Sequence, residues 1–145
     1  MKLRVSGYEL ELEDDWVLVD DLVPIVAHDS HGAELIVSVV VIERQGSEVE
    51  LAAVRARVLE NAFESARGAA AHPELAVVVP LARSDQKNGI ELWILIARTH
   101  DETTLFAQAI WVEPRAVGVL TLESPNSEAA LARFDRMRNS IRPLR

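Results

Sequence analysis

The chain has 145 residues and a mass of 16.1 kDa, so we expect one domain over residues 1–145. Its 49% hydrophobic and 26% charged residues are typical of a folded globular chain and exclude general disorder. Because the sequence contains no cysteine, disulfides, cysteine-ligated metal centres and thiol chemistry are excluded.

The net charge of −8 argues against nucleic acid as a partner, because a negative chain is repelled by a phosphate backbone. The longest apolar runs, such as residues 35–42, are well short of the about 20 residues that a membrane-spanning helix needs. The N-terminus has no apolar run of signal-peptide length and becomes acidic at Glu9. We therefore expect a cytoplasmic protein without membrane insertion.

The first part of the chain predicts three strands. Tyr8, Leu10 and Leu12 alternate with glutamates, which is the pattern of a strand with one acidic face. Residues 16–22 predict a second short strand, and residues 27–34 are typical of a turn. Residues 35–42 are nearly all β-branched, so we expect a central strand that is buried on both faces.

Ser47 and Glu50 have the spacing of a capping box and precede an apolar stripe that recurs every three or four residues. This pattern predicts an amphipathic helix of about five turns that ends at Gly68. A second helix is predicted to begin at Ser124-Pro125-Asn126-Ser127, whose residue types favour a helix start, and to end at Pro143.

Four strands are predicted between the helices, at residues 75–81, 90–97, 105–112 and 116–123. Asn88-Gly89 is a strong hairpin signal, because both central residues of a type I′ turn need a positive φ. The short turns favour an antiparallel meander. The expected order is β-β-β-α-β-β-β-β-α, an α+β fold with a single antiparallel sheet of six to seven strands and two helices.

Several strands are apolar on both faces, and this allows two arrangements. If both helices lie on one face, the other face presents an apolar surface for a partner or ligand. If one helix covers each face, these side chains form the core.

Motifs for catalysis or cofactor binding are missing from the sequence. There is no G-x-S-x-G elbow, no P-loop and no Gly-rich dinucleotide loop. His28 and His31 lie on one predicted turn and His100 on another, but no third ligand has matching spacing for a metal. We therefore expect no enzyme activity, no cofactor and no metal, and keep a small hydrolase centred on these histidines as a remote hypothesis.

Seven carboxylates lie between Glu9 and Asp21. This acidic stretch is interpreted as a solvated strand face, as a surface for a basic partner, or as the mate of the basic last helix. The second reading gives an alternative function, a soluble interaction module such as an immunity protein or an assembly factor.

The element order and three strings resemble the PsbP-like superfamily. The superfamily pattern has an N-terminal strand ending in D-x-W, a long helix, a four-strand meander and a last helix ending in F-x-x-[MI]-x-x-S-[IF]-R. The corresponding strings here are EDDW at residues 13–16, ARVLENA at 56–62 and FDRMRNSIR at 134–142.

Within that superfamily, the chain is most similar to the effector-associated chaperones of bacterial type VI secretion. Its segment QAIWVEPRAV at residues 108–117 resembles their Q-x-[FI]-x-x-x-[RP]-x-A-V motif. The resemblance implies a homodimeric, non-enzymatic chaperone that holds an apolar transmembrane-type helix of a secreted effector in a groove on its sheet. It places the groove glutamine at Gln108 and a second polar side chain at Ser38. Apolar lining is expected from the neighbouring strands, at Val40, Trp93, Leu95 and Ile110.

Overall fold

A computed structural model describes residues 1–20, 24–42, 46–84 and 88–144. Five strands precede the first helix, namely β1 (Lys2–Val5), β2 (Tyr8–Glu11), β3 (Val17–Asp20), β4 (Ile25–His28) and β5 (Glu34–Val41). Helix α1 (Glu48–Ala70) leads to four longer strands, β6 (Leu75–Ser84), β7 (Glu91–Thr99), β8 (Thr104–Glu113) and β9 (Ala116–Pro125). Helix α2 (Glu128–Ser140) and the short strand β10 (Arg142–Pro143) complete the chain.

Seven strands form one antiparallel sheet in the order β3-β4-β5-β9-β8-β7-β6. The predicted meander is confirmed, since β6 to β9 are neighbours in chain order. A small second sheet, β1-β2-β10, is also antiparallel. The α+β class with two helices is therefore confirmed, while the small sheet was not predicted.

Short sequence motifs correctly predicted one turn and the start of both helices. Asn88 and Gly89 have φ values of 60° and 76°, as the hairpin prediction required. The Ser47 side chain accepts a hydrogen bond from the backbone N–H of Glu50 and caps α1. Ser127 caps α2 in the same way, by accepting from Ala130.

One helix covers each face of the large sheet. We call the two surfaces the α1 face and the α2 face. On the α2 face, Leu35, Leu120 and Trp111 are buried in one core cluster with Phe134 and Met137 of α2. The small sheet contributes Leu3 and Leu10 to this cluster. The second of the two predicted arrangements therefore describes the helices, although the α1 face is only partly covered.

Three expectations about the elements were wrong or incomplete. Residues 25–28 form β4, although residues 27–34 were expected to be a turn. The helix α1 continues past Gly68 to Ala70, since a glycine on the exposed side of a helix does not by itself end it. Strand β1 was missed because it is short and has no strong β-branched run. The prediction for residues 16–22 extends beyond β3 to residues 21 and 22, which lie outside the described residues.

The prediction that β5 is buried on both faces was also wrong. Leu35, Val37 and Val39 are buried on the α2 face, whereas Ile36 and Ser38 are half-buried and Val40 is 51% exposed on the α1 face. The strand is central, but α1 does not extend over it. Neither α1 nor α2 is long and apolar enough to cross a membrane, within the part of the chain that the structure describes.

Candidate binding surface

The six residues predicted to bind a partner all lie on the α1 face, in three adjacent rows across the sheet. Directly paired residues of antiparallel strands point to the same face. Ser38 pairs with Val119, which pairs with Ile110, which pairs with Trp93. Gln108 pairs with Leu95 on one side and Thr121 on the other. Val40 lies in the third row, opposite Val117.

Helix α1 covers part of these rows. Phe63 and Ala66 pack on Ile110 and Val117, and the Phe63 and Trp93 rings are tilted at 57° with centroids 4.8 Å apart. Near the end of the helix, Ala70 packs on Leu95 and Phe106. Ile110 and Leu95 are therefore 1% and 2% exposed, and Trp93 is half-buried. In this arrangement these residues support α1 and do not line an open groove.

The rest of the α1 face is open. Helix α1 packs mainly against β6, β8 and β9, and on this face no described helix covers β4 and β5. The uncovered side chains, which we call the open strip, are Val26, Ile36, Ser38, Val40 and Thr121. Val26 and Thr121 are half-buried by their strand neighbours, as are Ile36 and Ser38. The open strip is a row of apolar side chains with two hydroxyl groups among them.

Gln108 lies at the border between α1 and the open strip. Its side chain donates from Nε2 to the Thr121 hydroxyl at 2.9 Å, and the residue is 8% exposed. Its other amide atom, Oε1, is buried and has no hydrogen-bond partner. If the carboxamide is rotated by half a turn, the NH2 end is left without an acceptor instead. One end of this buried amide is thus left unpaired, which costs free energy in the free protein.

The acidic N-terminal stretch and the basic last helix meet. Arg133 of α2 is 11% exposed and forms ion pairs with Asp29, Glu13 and Asp15. Its guanidinium lies 5.2 Å from the centre of the Trp16 ring. Of the three interpretations of the acidic stretch, pairing with the basic last helix within the same chain accounts for Glu13 and Asp15. Asp21 lies outside the described residues.

Glu9 is a second acidic group neutralised within the chain. It is 2% exposed and pairs with Arg142, Arg4 and Lys2. The hydrogen bond from Arg142 lowers the pKa of Glu9 below its usual range, against the effect of desolvation. This charge is therefore held by the fold and is not presented to solvent.

The histidines have ordinary surroundings. His28 Nε2 lies 3.0 Å from Glu34, His31 Nε2 lies 3.9 Å from Asp15, and His100 Nε2 lies 3.0 Å from the Pro73 carbonyl. Among the described residues, no group of three or more histidine or carboxylate side chains is arranged to hold a metal ion. These positions suggest turn-stabilising roles and offer no support to the hydrolase hypothesis.

Comparison with solved structures identifies the architecture. The chain matches the solution structure of cyanobacterial PsbP (CyanoP) from Synechocystis sp. PCC 6803 with a TM-score of 0.58 and 16% identity, over 94% of this chain and 86% of that one. The fold is PsbP-like. LpqN, involved in cell envelope biogenesis of Mycobacterium tuberculosis, matches with a TM-score of 0.55 and 16% identity, over 93% and 82% of the two chains. No protein-family model matches the sequence, and no curated protein matches it.

Part of the α1 face was not predicted from the sequence. Val26 was not assigned to any element, and Ile36 and Thr121 were not singled out. The pairing of Thr121 with Gln108 depends on the register of β8 and β9, which the tight turn at Pro114-Arg115 fixes. The strands at residues 105–112 and 116–123 were predicted with a short turn between them, so counting outward from the turn would have placed Thr121 beside Gln108.

Proposed function

We propose that this protein is a non-enzymatic chaperone or adaptor that binds an apolar helix of a partner protein along the open strip. The single observation that carries the proposal is the buried amide of Gln108, which has an unpaired end at the border of an uncovered apolar surface. The resemblance of residues 108–117 to the type VI effector chaperones gives the more specific form, in which the partner is a transmembrane-type helix of a secreted effector. In this form the protein acts in the cytoplasm, as a homodimer, before the effector is exported.

The chemistry required is burial without a covalent step. A transmembrane-type helix in water exposes apolar side chains that favour aggregation, and valines and isoleucines on a sheet replace that water. Helices in membranes are also held by hydrogen bonds from small polar side chains. Gln108, Ser38 and Thr121 offer equivalent hydrogen bonds within the apolar surface, so a helix bearing one serine or asparagine would satisfy the unpaired amide.

The proposal is supported over its alternative by the distribution of charge. An interaction module that binds basic partners needs free carboxylates, but Glu9, Glu13, Asp15 and Asp29 are paired with arginines of this chain. The open strip has no comparable internal partner among the described residues. Binding that relies on the open strip is also expected to change little with salt, because apolar burial is screened little.

The test uses a labelled leucine–alanine helix of about 20 residues, with one central asparagine and polar glycine–serine tails. We expect Val40→Asp to weaken binding about 30-fold or more, because a carboxylate would be buried against the helix at a cost of about 2 kcal/mol or more. Val49→Asp is the matched control, because Val49 is 80% exposed on the first turn of α1, outside the open strip. Fluorescence anisotropy measures both affinities, and circular dichroism checks that both variants fold.

Gln108→Leu tests the polar contribution in the same assay. We expect about a fivefold loss of affinity for the asparagine-containing helix and no loss for an all-apolar one, since one hydrogen bond in such a setting contributes about 1 kcal/mol. Ile110→Asp is unsuitable, because Ile110 is buried beneath α1 and its replacement would unfold the protein. Equal affinity of Val40→Asp and wild type for the helix would refute the proposed site.

A further inference from the structure

One end of the open strip is acidic. Glu34 lies on the α1 face two residues before Ile36, and it pairs directly with Glu123 of β9. Within the described part of the chain, Glu34 contacts only the imidazole of His28, at 3.0 Å, and Glu123 has no ion-pair or hydrogen-bond partner. We call Glu34 and Glu123 the acidic end. Like charges in directly opposite positions of two strands repel each other, so this pair is unfavourable in the unbound protein.

The acidic end has room for the side chain of a ligand. The two carboxylates line an open cleft of about 500 Å³ together with His28 and Thr104. Thr121, two residues before Glu123 on the same face, pairs with Gln108. The buried Oε1 atom of Gln108 has no hydrogen-bond partner. The carboxylates and the unpaired amide therefore occupy neighbouring rows of one surface.

The direction of α1 gives this end a second electrostatic feature. Near its start, Arg55 donates a hydrogen bond to the carbonyl oxygen of Pro114, at 3.2 Å, in the turn between β8 and β9. At its end, Ala70 packs on Phe106, which pairs directly with Glu123. The C-terminus of α1 thus lies at the acidic end, where the helix dipole is negative. Both features favour a positive group at this end of the open strip.

We propose that the open strip binds its apolar helix in one direction, antiparallel to α1, with lysine or arginine residues just before the helix over the acidic end. This inference rests on the proposed function. The N-terminus of a helix carries a positive partial charge, and membrane-type helices commonly have lysine or arginine at one end. Both charges complement Glu34 and Glu123.

The length of the open strip agrees with this placement. Six residues separate Glu34 from Val40, which is about 20 Å along β5. A helix of about 14 residues covers that distance. An apolar segment on the strip therefore places its first turn beside the carboxylates while its remaining turns lie over Ile36, Ser38 and Val40.

The test compares two labelled leucine–alanine helices of the same composition, with two lysines either just before or just after the apolar segment. We expect the wild-type protein to bind the form with N-terminal lysines about fivefold more tightly, because only that form brings both charges to the carboxylates. Glu34→Gln combined with Glu123→Gln should remove the difference. Glu11→Gln combined with Glu128→Gln is the matched control, since both residues are exposed on β2 and α2, and it should keep the difference. Fluorescence anisotropy measures the affinities, and circular dichroism checks folding.

The direction of the bound helix is measured separately. The natural sequence has no cysteine, so His100→Cys places a single nitroxide label on the exposed turn between β7 and β8, at the acidic end. We expect pulsed electron paramagnetic resonance to give a shorter distance to a second label at the N-terminus of the helix than to one at its C-terminus.

Three results would overturn the proposed direction. They are equal affinity of the two lysine-flanked helices for wild type, a preference that persists after Glu34→Gln and Glu123→Gln, and a shorter distance to the C-terminal label. If the helix with glycine–serine tails binds in any of these cases, the proposed function stands and the direction alone fails. If that helix does not bind, the proposed function fails and the direction fails with it.

Discussion

At the scale of single residues, the contact between Trp111 and Gly118 shapes the core of the α2 face. The two residues pair directly across β8 and β9, and the Trp111 side chain is fully buried. A Cβ atom on Gly118 would lie 1.9 Å from the Trp111 ring, well inside van der Waals contact. The indole also meets Tyr8 of the small sheet edge-on at 5.6 Å, so its position joins the two sheets.

Gly118→Ala should therefore destabilise the protein by about 2–3 kcal/mol, because the indole must leave its place in a close-packed core. Gly68→Ala is the matched control, since nothing lies within 4 Å of a Cβ at that exposed helical position. There the substitution should stabilise by up to about 1 kcal/mol through helix propensity. Urea denaturation measures both, and equal effects of the two changes would contradict this account of Gly118.

At the scale of elements, the turn between β4 and β5 is tied to α2. The Asp29 carboxylate accepts hydrogen bonds from the backbone N–H groups of His31 and Ala33, at 2.9 and 2.8 Å, and pairs with Arg133. Burial acts to raise the pKa of Asp29, but the hydrogen bonds from Ala33 and His31 and the charge of Arg133 outweigh it, so the pKa is lowered. The turn therefore depends on an ionised aspartate.

This dependence predicts how stability varies with pH. Because the pKa of Asp29 is lower in the folded than in the unfolded chain, its contribution is full above about pH 5 and is lost as the pH falls through the folded value. Asp29→Asn should cost about 1.5–3 kcal/mol at pH 7, and this difference from wild type should shrink towards pH 3. Urea midpoints at a series of pH values test this, and a difference that stays constant would show that the charge of Asp29 does not matter.

The element scale also explains how far the sequence could predict this fold. Periodicity, caps and the Asn88-Gly89 turn were sufficient for both helices and the meander, because those signals are local. The small sheet was missed because β1 and β10 are four residues or shorter, and because β10 pairs with β2 across nearly the whole chain. Strand β5 was judged buried on both faces because apolar residues occupy both, and which face α1 covers depends on long-range packing.

The same limit applies to the candidate site. All six predicted residues share one face because period two fixes the face of each strand once the turns are placed. The accessibility of these residues could not be predicted from the sequence pattern, because α1 covers Leu95 and Ile110 but leaves Val40 exposed. No sequence pattern indicated the path of α1 across the sheet.

At the scale of the whole molecule, several acidic and basic groups neutralise each other within the chain, while part of the sheet is left uncovered. Carboxylates of the first part of the chain form ion pairs with arginines of α2, so these carboxylates do not form a free acidic surface. Among the described residues, the open strip is an apolar surface that no other element of the chain covers. It is therefore the surface that we propose for another protein.

The measurement that tests the central claim most directly is photo-crosslinking in the native cell. A photoreactive benzoylphenylalanine is placed at position 40 in the open strip or at position 49 on α1 as the control, and crosslinked peptides are identified by mass spectrometry. The account predicts that position 40 captures an apolar segment of about 20 residues, the length of a membrane-spanning helix, and that position 49 does not. Equal crosslinking at both positions, or capture at position 40 of charged, polar segments alone, would contradict it.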